Sequence, residues 1–265
     1  MIAILARGVW AYRGFILASM RREFQSKYAN SLLGAAWTVI QPLAMVLIYT
    51  VVFSQVMQAR LPGASSRYAY AIYLCAGILT WGFFADIVGR GQTIFIDNAN
   101  LIKKLAFPKI CLPVIAVLNA AINFAIIFAI FTGFLLGTGS FPGWPYLALF
   151  PLFAIQVALA IGLGVTLGVL NVFFRDVGHF FGIFLQFWFW FTPIVYPLAI
   201  LPEWLQRVVA MNPLTGLVGA YQRILVEASW PRWIELWPAA LAAVLLCAFA
   251  MRLFAKRSGE MVDEL

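Results

Sequence analysis

Residues 21–43 read RREFQSKYANSLLGAAWTVIQPL, a charged, amphipathic segment that passes directly into a run long enough to enter a bilayer. Arg21, Arg22, Glu23 and Lys27 crowd its first turns, and from Tyr28 to Ala59 no Asp, Glu, Lys or Arg follows. A spanning helix needs about 20 mostly apolar residues, which the later part supplies; the earlier part would have to desolvate its charges. Leu17, Met20, Phe24 and Tyr28 recur at intervals of three and four and so share one helical face, with Arg13, Arg22 and Ser26 off it. The pattern predicts a helix lying on the membrane surface or on a partner protein, bent into a first transmembrane helix.

The rest of the chain has the same character. Of 265 residues, 64% are hydrophobic and 11% charged, with a mean hydropathy of +0.93, a composition that would expose too much apolar surface in water. Cys75, Cys111 and Cys247 lie far apart in apolar surroundings without a CxxC pair, which reads as small buried side chains, not a disulfide framework or metal site. The N-terminus lacks the small-residue cleavage site of a signal peptide.

Apolar runs place six spans at 33–57, 68–89, 110–136, 146–170, 180–198 and 234–251. The third and fourth are one uncharged stretch, Ile110 to Phe174, divided by the turn GTGSFPGWP at 137–145. Residues 90–109 form a basic loop, and 202–233 form two short helices that dip partly into the membrane. An acidic tail follows Arg252, Lys256 and Arg257. Of the 18 Lys and Arg, all but Arg60, Arg67, Arg207, Arg223 and Arg232 fall on the side of the termini, which places both termini in the cytoplasm. The net charge of +8 therefore belongs to membrane topology, not to nucleic-acid binding. The expected fold is one all-α polytopic membrane domain over 1–265, with an interface helix at 1–30.

Several chemistries lack their residues. None of the five lysines follows a glycine, so a phosphate-binding P-loop is absent, and with one histidine neither HExxH nor a histidine-rich metal site can form. His179 beside Arg175-Asp176 has no recognisable nucleophile nearby, which favours a surface loop with Asp176 capping the next helix over a catalytic base. Asp86 and Arg90, four residues apart, read as a helical ion pair; a proton relay would need more than one acid.

Four segments carry a family resemblance: RREFQSKYANSLLGAAWTVIQP (21–42), NANLIKKLAFPKICLPV (98–114), NVFFRDVGHFF (171–181) and MNPLTGLVGAYQRIL (211–225). In this order, with six spans, the chain resembles the membrane subunit of an ABC-2 type exporter, in the branch that moves O-antigen, capsular polysaccharide or teichoic acid. The resemblance implies a homodimer with a central channel in a bacterial inner membrane. It also implies two copies of a separate ATPase that holds ATP and Mg, and a polyprenyl-linked polysaccharide as substrate. No cofactor is expected on this chain. By the same analogy Arg21, Arg22, Glu23, Asn100, Leu101, Lys103 and Lys104 are the residues that couple to the ATPase, and Asn212, Pro213 and Arg223 belong to a periplasmic gate.

Sugars present apolar C–H faces, so aromatic rings can line their path with weak, repeated contacts. Trp37, Trp81, Phe187, Trp188, Trp190 and Tyr196 are the channel candidates, although Trp and Tyr also gather at membrane interfaces. Arg13, Arg90 and Lys104 are candidates for attracting a lipid pyrophosphate at the entrance. The competing functions are an ABC-2 permease for a drug or lipid, an intramembrane acyltransferase using His179, and a proton-coupled carrier using Asp86.

Overall fold

The computed structural model describes residues 10–28, 36–52, 68–104 and 107–265; residues 1–9 of the expected interface helix, the expected bend into the first span, and residues 33–35 and 53–57 of that span lie outside them. Every regular element among the described residues is helical: α1 (Arg13–Tyr28), α2 (Trp37–Tyr49), α3 (Ala69–Asp97), the short α4 (Ala99–Lys104), α5 (Cys111–Gly137), α6 (Leu149–Phe173), α7 (Asp176–Trp190), the short α8 (Glu203–Ala210), α9 (Pro213–Glu227), α10 (Trp237–Arg257) and the single turn α11 (Met261–Glu264). Short 3-10 turns, Trp144–Ala148 and Trp233–Leu236, lead into α6 and α10.

Four of these are long and apolar enough to cross a membrane: α3, α5, and α6 and α10 with their 3-10 turns. The segments expected as first and fifth spans are not among these four. The described apolar helix there runs over Val39–Val52, and α7 has 15 residues, about 22 Å at 1.5 Å per residue against a hydrocarbon core of about 30 Å.

α6 forms the spine, packing along both α3 and α10. Small residues permit this. A Cβ on Gly168 would stand 2.3 Å from the Gly91 carbonyl oxygen of α3, and one on Gly91 would stand 2.8 Å from the Gly164 Cα. Gly164 and Gly168 therefore let two backbones touch, the close approach that a small-xxx-small pattern provides where lipid is the solvent. On the other side of α3, Phe83 stacks on Phe124 of α5 with centroids 4.3 Å apart, and Phe124, Phe128 and Phe153 continue the aromatic packing into α6. α7 packs on α3 and α6, less extensively than α6 packs on α3 and α10.

Two boundaries depart from the sequence expectation for identifiable reasons. α3 does not stop at Arg90 but runs to Asp97, because Arg90 Nε donates to Asp86 Oδ1 at 2.8 Å and neutralises the charge that read as a loop. α7 ends at Trp190, eight residues before the expected limit, and the chain then unwinds through Pro193 and Pro197.

Candidate functional site

At one end of the bundle α1, α4, the start of α5 and α11 gather. Ile16 and Met20 seat α1 on Cys111 and Ile115 of α5. The seated face is turned about one residue from the expected one: Leu17 is 62% exposed, and the side chains of Phe24 and Tyr28 lie outside the described residues. Glu23 sits on the seated side, bonding Arg90 of α3 through one carboxylate oxygen and Asn119 of α5 through the other. Arg90 thus bridges Glu23 and Asp86, and through its two oxygens the Glu23 carboxylate ties α1 to α3 and α5. Among the coupling candidates, Arg21, Arg22, Asn100, Lys103 and Lys104 are exposed, whereas Leu101 turns into an apolar cluster. Among the entrance candidates, Arg13 lies over the Trp10 ring, 5.3 Å from its centroid, and only Arg90 is enclosed by carboxylates.

That apolar cluster contains residues the sequence reading passed over. Met261 of α11 is fully buried against Ile102 of α4, Phe95 of α3 and Leu112 of α5, with Val262 and Leu265 beside it. Lys109 donates to the Ser258 carbonyl; burial pushes its ammonium below the ordinary value, opposed by the Asp263 carboxylate. The signal was the spacing of Met261, Val262 and Leu265, which puts three apolar residues on one face of a segment read only as an acidic tail.

The loop between α6 and α7 is pinned to the same region. Asn171 accepts from the Gly178 N–H at 3.1 Å and donates to the Gln92 carbonyl at 2.9 Å, while Gln92 donates to the Gly178 carbonyl at 3.0 Å. Arg175, not Asp176, holds the cap position of α7 and makes no side-chain cap bond; Asp176 lies in the first turn, where a carboxylate suits the positive end of the helix dipole. His179 is exposed and has no hydrogen bond to Asp176 among the described residues.

At the opposite end the unwound segment after α7 is held by side chains from distant helices. Tyr70 Oη donates to the Val195 carbonyl at 2.9 Å, Tyr73 Oη is shared between the carbonyls of Tyr196 (2.9 Å) and Pro193 (3.2 Å), and Gln222 Nε2 of α9 reaches Pro193 O at 3.3 Å. Buried carbonyls freed by a broken helix need such partners. Asn212 ties the next elements together. Its Oδ1 caps α9 by accepting from the Leu214 N–H at 3.1 Å and also accepts from Trp188 Nε1 at 3.0 Å, and its Nδ2 donates to Thr192 Oγ1 at 2.9 Å. Pro213 occupies the first helical turn, where its missing N–H costs nothing. Arg223 pairs along α9 with Glu227 at 3.5 Å.

The aromatic candidates divide into two sets. Trp81 is 8% exposed and packs edge-on against Trp188 (6.1 Å) and Phe189 (5.7 Å), so Trp81 and Trp188 help to fix α7 on α3. Phe187 (64% exposed) and Trp190 (63%) lie on the other face of α7, in one stripe with Phe180, Ile183 and Phe184. Trp37 is exposed on α2, and the half-buried Tyr196 donates to the Trp190 carbonyl at 2.7 Å. Phe180 and Phe184, also exposed on this stripe, are not among the sequence candidates, which on α7 begin at Phe187.

Residues 15–226 match the model of the ABC-2 type transporter family. The chain is 30% identical over 264 residues to the O-antigen export system permease protein RfbA of Myxococcus xanthus, covering 98% of this chain and 99% of the relative. It is 29% identical over 209 residues to the Klebsiella pneumoniae protein of the same name, covering 78% of each, and 22% identical over 215 residues to the polysialic acid transport protein KpsM of Escherichia coli, covering 81% of this chain and 80% of the relative. A family match spanning most of the helices, with near end-to-end similarity to a named permease, establishes that the chain belongs to the ABC-2 type transporter family.

Proposed function

We propose that two copies of this chain form the membrane conduit of an exporter that moves a polyprenyl-linked polysaccharide from the cytoplasm across a bacterial inner membrane. ATP and Mg are held by two copies of a separate ATPase. The observation that carries this reading is the similarity, over 98% of the chain, to a permease named for O-antigen export. The absence of a glycine-lysine step in the sequence agrees with a motor on another chain.

In this reading six spans cross the bilayer, α2 and α7 completing theirs with the segments that flank them, and both termini face the cytoplasm. The ATPase docks on the end where Arg21, Arg22, Asn100, Lys103 and Lys104 are exposed. Its closure pushes α4, which stands directly on the cluster holding Phe95, Leu112 and Met261, so the movement reaches α3 and α5 together. Glu23 and Arg90 carry the movement of α1 to the same two helices. Arg13 and Lys104 attract the lipid pyrophosphate, and Arg90, already enclosed, serves coupling instead.

The polymer path is lined by the exposed aromatic stripe of α7 and by Trp37, with Trp81 and Trp188 behind it as support. Asn212, Pro213 and Arg223 belong to the periplasmic exit, where α8 and α9 dip into the membrane. The acyltransferase alternative has no support from His179, which lacks an orienting bond to Asp176, and the proton-carrier alternative has none from Asp86, which is already paired with Arg90.

Co-purification and export with the double variant Arg22→Glu, Lys103→Glu test the coupling assignment. The expected outcome is loss of both ATPase binding and export with the permease still in the membrane. Retention of both would remove these residues from the coupling surface.

A further inference from the structure

The single turn α11 stands between α4 and the spine of the bundle. Among the described helices α4 packs mainly on α3, from which it continues, and on α11, and α11 in turn packs on α6. Met261 makes the join. It is fully buried, in one apolar cluster with Ile102 of α4, Val169 of α6 and Ala250 of α10.

A single turn has no helical stability of its own, so α11 is placed by what it touches. Polar contacts fix the chain that leads into it. Arg257, the last residue of α10, lies over the Phe173 ring of α6, 5.7 Å from its centroid, and pairs with Glu260. Lys109, just before α5, donates to the Ser258 carbonyl. The turn is thus held on α5 and α6 while Met261 fills the gap beneath α4. A close-packed contact of this kind is barely compressible and passes displacement on.

We propose that α11 is a strut in the coupling machinery: a load on the exposed face of α4 passes through Met261 into α6 and α10, and Lys109 and Arg257 keep the strut seated. This rests on the reading of the chain as a conduit worked by a separate ATPase, and it extends the transmitted movement from α3 and α5 to the spine. Met261 and Lys109 act through α4 and are positioning residues.

The test reads polymer export and ATP hydrolysis together in vesicles that hold the full-length permease, its ATPase, lipid-linked polysaccharide, ATP and Mg. In Met261→Asp the ATPase should still bind and hydrolyse, because Lys103 and Lys104 stay exposed, while polymer exported per ATP falls about fivefold. Met261→Leu should restore the ratio, and Lys109→Met, which leaves the apolar cluster whole, should lower it about twofold. An unchanged ratio, or a fall of export and hydrolysis in equal proportion, overturns the strut. Where Met261→Asp is not recovered folded, Lys109→Met decides by the same ratio. Export by the unaltered permease without the ATPase would overturn the conduit reading and the strut with it, whereas ATPase-dependent export with an unchanged ratio in the variants overturns the strut alone.

Discussion

The end of the bundle that carries α1 and α11 adds full charges, Glu23 and Asp86 around Arg90, to its neutral bonds at Asn171 and Gln92, whereas the opposite end holds its unwound segment by the neutral donors Tyr70, Tyr73 and Gln222 on main-chain carbonyls and ties α7 to α9 through the neutral Asn212. The two solutions answer different problems. At the first end the side chains carry the charge, which is tolerated when paired near a membrane surface. At the second end a helix is broken and its backbone needs partners that bring no charge of their own. The difference teaches where movement is supported. A carboxylate on α1 bound at once to Arg90 of α3 and Asn119 of α5 transmits displacement among the three helices, while a broken helix fastened by separate neutral bonds can open one bond at a time.

Substitutions break this contrast in graded ways. Gly168→Val acts on the spine that both ends share: a side chain 2.3 Å from a carbonyl oxygen must force α3 and α6 apart, costing about 3 kcal/mol, so little folded protein should be recovered and thermal unfolding should lose cooperativity at both ends. Arg90→Ala acts at the charged end alone. It leaves Glu23 and Asp86 facing each other half-buried, an expected loss of about 2 kcal/mol, and Glu23→Gln added to it should recover part of that loss in a double-mutant cycle of thermal stability.

Asn212→Ala acts at the neutral end alone. Loss of the α9 cap and of the partner of Trp188 Nε1 should cost about 1–2 kcal/mol, and cysteine accessibility or proteolysis should report loosening of residues 191–213 with α1 still seated. If Arg90→Ala loosened the 191–213 segment as much as Asn212→Ala does, the two ends would not be separate and the contrast would fail.

Sequence alone made one end more legible than the other. α5 could be placed within a residue because its apolar run is bounded by charge and turn signals, and the Asp86–Arg90 pair followed from spacing on one helix. The true length of α3 is hidden because its last turns, Gly91 to Asp97, lie beyond the apolar run that sets a span. The end of α7 was hidden for a different reason: the residues that satisfy its unwound carbonyls, Tyr70, Tyr73 and Gln222, are far away in the chain, and no local pattern shows that they arrive. In the same way, the division of the aromatic run into a packed side and an open side depended on Trp81 and Phe84 meeting Trp188. Asn212 is marked in the sequence only by the family resemblance, and no local pattern shows that it caps α9 or bonds Trp188.

The central claim, that this permease is a conduit worked by a motor it does not contain, is tested most directly by reconstitution into vesicles with lipid-linked polysaccharide on one side. Export should require the partner ATPase together with ATP and Mg, and should be absent with the permease alone under any ion gradient. Polymer crossing in vesicles that hold only this chain would contradict the account.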